Sequence, residues 1–279
     1  MKTLYFDCFS GISGDMVIGA LIDAGANPDH LVEELKKMKM EDEYELKWKK
    51  VIKNGITGTK FDVLLLHSHH EHHHHDEHSH HHHEHEHHHH DEHSHHHHEH
   101  HHHDEQVHHH HHRSYKDIVR LIESAGFSEE VKETALKIFK KIGEAEGHIH
   151  GIPLENVHFH EVGAVDSIID IVGAAILIHQ LEVTTVKASP IPVGTGKIHI
   201  DHGIYPVPAP ATLEILKGIP IEQSDIRAEL TTPTGAAIIA VLAEEFCTVP
   251  SMKVNFVGYG AGTKTFKDRP NMLRVMIGE

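Results

Sequence analysis

The sequence predicts an α/β or α+β fold on a mixed sheet, interrupted by a long disordered histidine-rich insert. Three observations carry that expectation. Short β-rich runs alternate with amphipathic or apolar helical runs along most of the chain. The stretch "YELKWKKVIKNGITGTKFDVLLL" is two β-rich runs around Asn54-Gly55, a pair that tolerates positive φ at a tight turn. Finally, 31 of the 39 histidines crowd into residues 67–112, which hold almost no apolar side chain. Such a pattern leaves the strand order undetermined. Residues 1–66 and 113–279 are expected to form one α/β domain, undivided or in two lobes, with 67–112 set apart as the insert.

The elements follow in order. "KTLYF" is a buried strand and "DCFSGISGDM" the loop after it. A helix starts near Gly14, with Met16, Val17, Ala20 and Leu21 on one face, and stops at Gly25. Asn27 caps a second helix with Pro28 at its first position, where a missing N–H costs nothing. The hairpin comes next, then the insert. Ser114 caps a helix ended by Gly126, and Ser128 caps an amphipathic one through Val131, Ala135, Ile138, Phe139 and Ile142. "NVHFHEVG" is a short strand into a turn, and "AVDSIIDIVGAAILIHQL" a largely buried helix. "VTTVKASPIPVGTG" is a strand with a Gly-rich exit, and "KIHIDHGIYPVP" a strand and turn. "APATLEILKG" and "TTPTGAAIIAVLAEE" are helices, and "MKVNFVGYGAGTK" with "NMLRVMIG" a final strand pair.

The insert repeats itself: Glu71 to His85 and Glu86 to His100 carry the same fifteen letters. With so little apolar surface it cannot offset the entropy of ordering, so disorder is expected in the absence of metal. Imidazole titrates near ~6.5, leaving most rings with a free lone pair at neutral pH. At four to six donors per ion, 31 histidines can hold on the order of five to eight divalent ions. Below about pH 5.5 the rings protonate and the metal should leave. Ligand type does not select nickel over copper or zinc, because the Irving–Williams order favours copper.

Composition narrows the remaining classes. The net charge of −17 falls to −7 without residues 67–112, and no basic stripe appears, which argues against nucleic acid. Two cysteines, Cys8 and Cys247, imply no disulfide framework. Asp7 and Asp15 interrupt any signal-peptide core, and the most apolar run, Ile168 to Leu181, is shorter than the ~20 residues a bilayer needs. A cytoplasmic protein is expected, with no membrane partner.

The sharpest constellation is His158, His160 and Glu161, followed by Asp166 and Asp170. In an extended segment His158 and His160 share a face. Asp166 and Asp170 stand one helical turn apart on an otherwise apolar helix, where two carboxylates need a cation, an Arg or backbone donors. His148 and His150 form a second period-two pair that can feed the same place, unless they lie at an exposed helix exit. His199 and His202 are weaker and can serve to shape a strand and turn. The loop "SGISGD" offers backbone N–H groups at a helix N-terminus, with Ser10, Gly11, Ser13 and Gly14 before the first turn. It is neither a P-loop nor a dinucleotide fingerprint. Asp7 and Asp15 beside it leave a phosphate–metal contact and a sugar-hydroxyl contact equally open. Cys8 suits a small buried residue.

"YFDCFSGISGDM", "HFHEVGAVDSIIDI", "PVGTG" before "HGIYPVPAPAT", "ELTTPTGAA" and "GYGAGTKTFKDRPN" occur in the order found in LarC proteins. The chain resembles the N-terminal half of that family, the nickel insertases of the nickel-pincer (lactate racemase) cofactor pathway. The resemblance implies a lyase-type, CTP-dependent cyclometallase. It would place nickel in pyridinium-3,5-bisthiocarboxylic acid mononucleotide, forming metal–carbon and metal–sulfur bonds, with Mn²⁺ or Mg²⁺ accompanying CTP. Carried onto this sequence, the insert collects Ni²⁺ as substrate. Asp166 and Asp170 are the catalytic candidates, and His158, His160, Glu161, His148 and His150 the metal candidates. Ser10, Gly11, Ser13 and Gly14 are candidates for the phosphate of the mononucleotide.

Family members continue into a second domain associated with CTP, so the expected partners include a separately made C-terminal half, unless the chain is truncated. A homo-oligomer is also open. Two other readings stand beside insertion: a nickel storage protein or chaperone without chemistry, and a metal-dependent phosphohydrolase.

Overall fold

Local capping and turn signals set most element boundaries. The computed structural model describes residues 1–66, 113–159, 164–200 and 203–279. The expected insert at 67–112 therefore lies outside the described residues, as do His160, Glu161 and His202. Strand β1 (Thr3–Asp7) leads into helix α1 (Gly14–Asp23). In α2 (Pro28–Leu35) the Asn27 side chain accepts from the Asp29 N–H at 2.9 Å. Strands β2 (Tyr44–Lys53) and β3 (Ile56–Leu65) pair antiparallel around Asn54 and Gly55, both at positive φ as the hairpin turn requires. Ser114 and Asp117 form a reciprocal capping box at α3 (Tyr115–Ser124), and Ser128 caps α4 (Glu129–His150).

Helix α5 (Val165–Gln180) is buried along Ile168, Ile169, Ile171, Val172 and Ile176, which explains why its sequence shows no polar face. Strand β4 (Thr185–Ala188) follows, then the short β5 (Ile191–Pro192) and a hairpin of β6 (Lys197–Ile200) and β7 (Gly203–Pro206). Helix α6 (Pro210–Ile215), β8 (Ile221–Glu222), α7 (Pro233–Leu242) and β9 (Glu245–Phe246) precede the closing pair, β10 (Val254–Ala261) and β11 (Met272–Gly278).

Among the described residues, seven strands form one mixed sheet in the order β2-β3-β10-β11-β1-β4-β9. The β2–β3, β10–β11 and β11–β1 pairs are antiparallel, and β3–β10, β1–β4 and β4–β9 are parallel. The expected α/β fold with a mixed sheet is thus present. Its order places the last strand beside the first, a long-range pairing invisible to local pattern. Helix α1 lies on β3, β10 and β11, α5 packs on α1, and α4 packs on α5. Their apolar faces, with Leu4 and Phe6 of β1, share one contiguous core. No described helix is long and apolar enough to cross a membrane.

The seat of α1 on the sheet depends on Gly260. A Cβ added there would lie 1.8 Å from the Met16 carbonyl oxygen and 2.6 Å from the Ala20 nitrogen, both backbone atoms. Gly260→Ala is therefore expected to lift α1 and cost about 3 kcal/mol. Thermal unfolding should register this as a drop of roughly 6–12 °C.

Candidate functional site

The loop before α1 is stitched to the segment before α7. Ile12 N–H donates to the Leu230 carbonyl at 3.1 Å, and Thr232 N–H donates to the Ile12 carbonyl at 3.1 Å. This ladder sets the N-termini of α1 and α7 side by side. Helix α5 crosses α1 so closely at Gly14 that an added Cβ would lie 2.4 Å from Asp170 Oδ2. Between them opens a cavity of about 390 Å³. Its walls are Ser13, Gly14 and Asp15 of the α1 entry, Asp166, Ser167 and Asp170 of α5, and Thr232 to Thr234 of the α7 entry. Strand β3 adds Lys60 and Asp62, and Glu229 completes the rim. Three helix N-termini thus face one space, each carrying partial positive charge from unsatisfied N–H groups.

Asp170 is the unusual member. Its Oδ1 is buried and has no hydrogen-bond partner. Burial, and then the Asp15 and Asp166 carboxylates, push its pKa well above the ordinary value, although Lys60 and the Asp15 backbone N–H pull the other way. Lys60 is 8% exposed. Its ammonium donates to Asp15 Oδ2, Asp62 Oδ1 and the Phe61 carbonyl, each at 2.8 Å. Burial alone would lower its pKa, but the Asp15 carboxylate and the hydrogen bonds to Asp15 and Asp62 outweigh it, so Lys60 stays charged. The Ser13 hydroxyl donates to the other Asp15 oxygen. Lys60→Met would leave Asp15 and Asp62 without their shared cation. We expect a loss of about 3 kcal/mol in urea unfolding, typical of removing one partner of a largely buried ion pair.

The predicted residues divide. Asp166 and Asp170 line the cavity together, Asp166 exposed at the mouth and Asp170 within. Ser13 and Gly14 line it too. Ser10 and Gly11 do not: Ser10 is buried with its hydroxyl on the Pro270 carbonyl at 2.7 Å, and Gly11 packs on Leu230 at φ +94°. Their glycine and serine serve a tight buried turn, so the phosphate-loop expectation fails at those two positions. Cys8 is buried, and burial pushes its thiol up to about 12.

His158 sits in an extended stretch, exposed between buried Val157 and Phe159, and bridges to Ser114 at the start of α3. It is not part of the cavity wall. His160 and Glu161 lie outside the described residues. The period-two expectation for His148 and His150 is corrected: α4 continues to His150, and two residues apart on a helix point about 200° apart. Both are exposed, His148 3.9 Å from Glu214 Oε1 and His150 3.3 Å from Glu146 Oε2. Among the described residues no three His, Cys, Asp or Glu side chains are placed to hold a metal ion. Sequence reasoning missed Lys60 and Asp62, which no local signal marks.

A family model described as "Nickel insertion protein" matches residues 4–279. A protein from Geobacillus kaustophilus named "Pyridinium-3,5-bisthiocarboxylic acid mononucleotide nickel insertion protein" is 48% identical over 279 residues, covering all of this chain and 60% of that protein. A Clostridium kluyveri protein of the same name is also 48% identical over 279 residues, with 62% of its length covered. One from Maridesulfovibrio salexigens, named "Putative nickel insertion protein", is 53% identical over 277 residues, 99% of this chain and 63% of that one. The chain spans about 60% of the length of these relatives. No solved structure matches it.

Proposed function

The chain belongs to the nickel insertion protein family, and from that premise we propose that it inserts nickel into the pyridinium mononucleotide named for its relatives, with the cavity at α1, α5 and α7 as the place of reaction. The observation that carries this reading is half-buried Asp170, which lines the cavity while its Oδ1 is sealed off without a hydrogen-bond partner. A buried polar atom without a protein partner is completed by water, an ion or a ligand, and its place beside a cavity favours the ligand. Nickel is the substrate. The thiocarboxylate sulfurs bind it, and a metal–carbon bond at a ring C–H releases one proton, so the reaction also needs an acceptor. Asp166 and Asp170 are the carboxylates within the cavity that face that chemistry.

CTP has no built phosphate site here: the one ammonium in the cavity, Lys60, is already held by Asp15, Asp62 and the Phe61 carbonyl. We assign CTP and its Mn²⁺ or Mg²⁺ to the part of the relatives' length that this chain does not span.

The histidine-rich segment is the supply. Ordered insertion and bulk capacity should separate in one experiment. Asp166→Asn is expected to lower insertion of nickel into the mononucleotide by about tenfold or more, measured on the full chain with whatever further family segment the assay requires. Total nickel bound per chain at pH 7.5 should stay as in the parent, and most of it should leave below about pH 5.5. Insertion equal to the parent would remove Asp166 from the site. A storage protein without chemistry is the reading the histidine-rich segment favours, and it is chosen instead if no variant in the cavity changes insertion. The phosphohydrolase reading needs histidines and aspartates in one shell, which the described residues do not assemble.

A further inference from the structure

We propose that the cavity is a nickel seat the protein leaves incomplete, so that nickel is held there only together with the mononucleotide, whose sulfurs finish its coordination. This deepens the proposed function and rests on it. Asp170 and Thr234 line the same space from two helices. Asp170 Oδ1 is buried without a partner. Thr234, 7% exposed at the N-terminus of α7, lines the cavity, and its hydroxyl meets no partner among the described residues. Lys60 cannot serve either of them, because its three N–H donors are already taken by Asp15, Asp62 and the Phe61 carbonyl. Asp166 stands one turn before Asp170 on the same wall. These are few oxygen donors, short of a cluster of three His, Cys, Asp or Glu ligands among the described residues, so part of an ion's shell is left to water or to the substrate.

The charge of the ligand points the same way. The mononucleotide carries two thiocarboxylates and a phosphate, so it is repelled from a cavity with an excess of carboxyl groups. A divalent ion placed between Asp170 and the sulfurs turns that repulsion into attraction. Water leaves the ion as sulfur lone pairs enter, and no bond of the substrate breaks at this stage. The partial shell also suits an insertase. A full set of protein ligands would keep the nickel, whereas weak oxygen donors give it up to sulfur, which the softer late divalent metals accept readily.

Coupling between two ligands is reciprocal, so nickel must tighten mononucleotide binding by the factor that the mononucleotide tightens nickel. Equilibrium dialysis of the mononucleotide against the full chain reads this directly, with nickel saturating or removed by a chelator. We expect about tenfold or greater tightening by nickel, and much less for the analogue with both sulfurs replaced by oxygen. Asp170→Asn should abolish the gain, which separates the cavity from nickel held elsewhere on the chain. Thr234→Val should lose part of it. Equal affinity with and without nickel, or a full gain in Asp170→Asn, overturns the inference and leaves the proposed function standing. Binding under neither condition overturns both.

Discussion

Asp170→Asn is expected to abolish most nickel insertion while raising the melting temperature at neutral pH. The two effects share one cause. A carboxyl group with a buried, unpartnered oxygen is held in the folded protein at the cost of its hydration. Its folded pKa lies well above the unfolded value of 3.8. For a group raised in this way, the stability it contributes is fully present below the unfolded pKa and is lost as pH rises through the folded one. The neutral amide escapes that loss, so the stability gap between variant and parent should widen as pH rises from about 4 towards neutrality. The amide still leaves a polar atom in the Oδ1 position, so the gain is the ionisation part alone, about 1.4 kcal/mol for each pH unit crossed between the unfolded and folded pKa. Insertion should fall about 100-fold or more, as when a positioned electrostatic group is removed from a reaction site. Thermal melts at pH 4 and pH 7.5, paired with an insertion assay, check both halves. A variant that is less stable than the parent at pH 7.5 would show that Asp170 is held for structure rather than for a ligand.

Gly14→Ala should lose insertion by the opposite route. The added methyl would lie 2.4 Å from Asp170 Oδ2, 2.5 Å from its Cβ and 2.7 Å from its Cγ. Since the Cβ cannot swing away, either α1 or α5 must move and Asp170 moves with it. We expect a loss of about 2–3 kcal/mol in stability. Insertion should fall about 100-fold, because a displacement near 1 Å is enough to disrupt a positioned group. The pair is diagnostic: one variant stabilises, the other destabilises, and both fail in the reaction. Parent-like insertion in a folded Gly14→Ala chain would place the chemistry away from the α1–α5 crossing.

Much of the fold was legible because its signals are local. Asn54-Gly55 turns the hairpin, and Asn27, Ser114 and Ser128 cap the helices expected of them. The strand order was not, because β11 reaches the centre of the sheet only by pairing with β1, more than 260 residues earlier. The site shows the same division. Asp166 and Asp170 stood out as carboxylates on an apolar helix, and the structure places both on one cavity. Lys60 and Asp62 alternate with Phe61 and resemble a solvated strand edge; α1 and α5 both pack on β3, and Asp15 of α1 meets the Lys60 ammonium. Ser10 and Gly11 carried a loop signal that the fold uses for a buried turn. His148 and His150 read as period two because the helix end at Gly151 is marked by a single residue, and α4 continues through both.

If nickel and the mononucleotide meet at Asp170, the metal can be located there. Anomalous diffraction at the nickel edge, from the full chain with mononucleotide and nickel, tests it most directly. A nickel peak is expected in the cavity within bonding distance of both an Asp170 oxygen and the substrate sulfurs, absent when either the mononucleotide or the carboxylate is removed. Nickel found only on histidines, with the mononucleotide elsewhere or unbound, would contradict it.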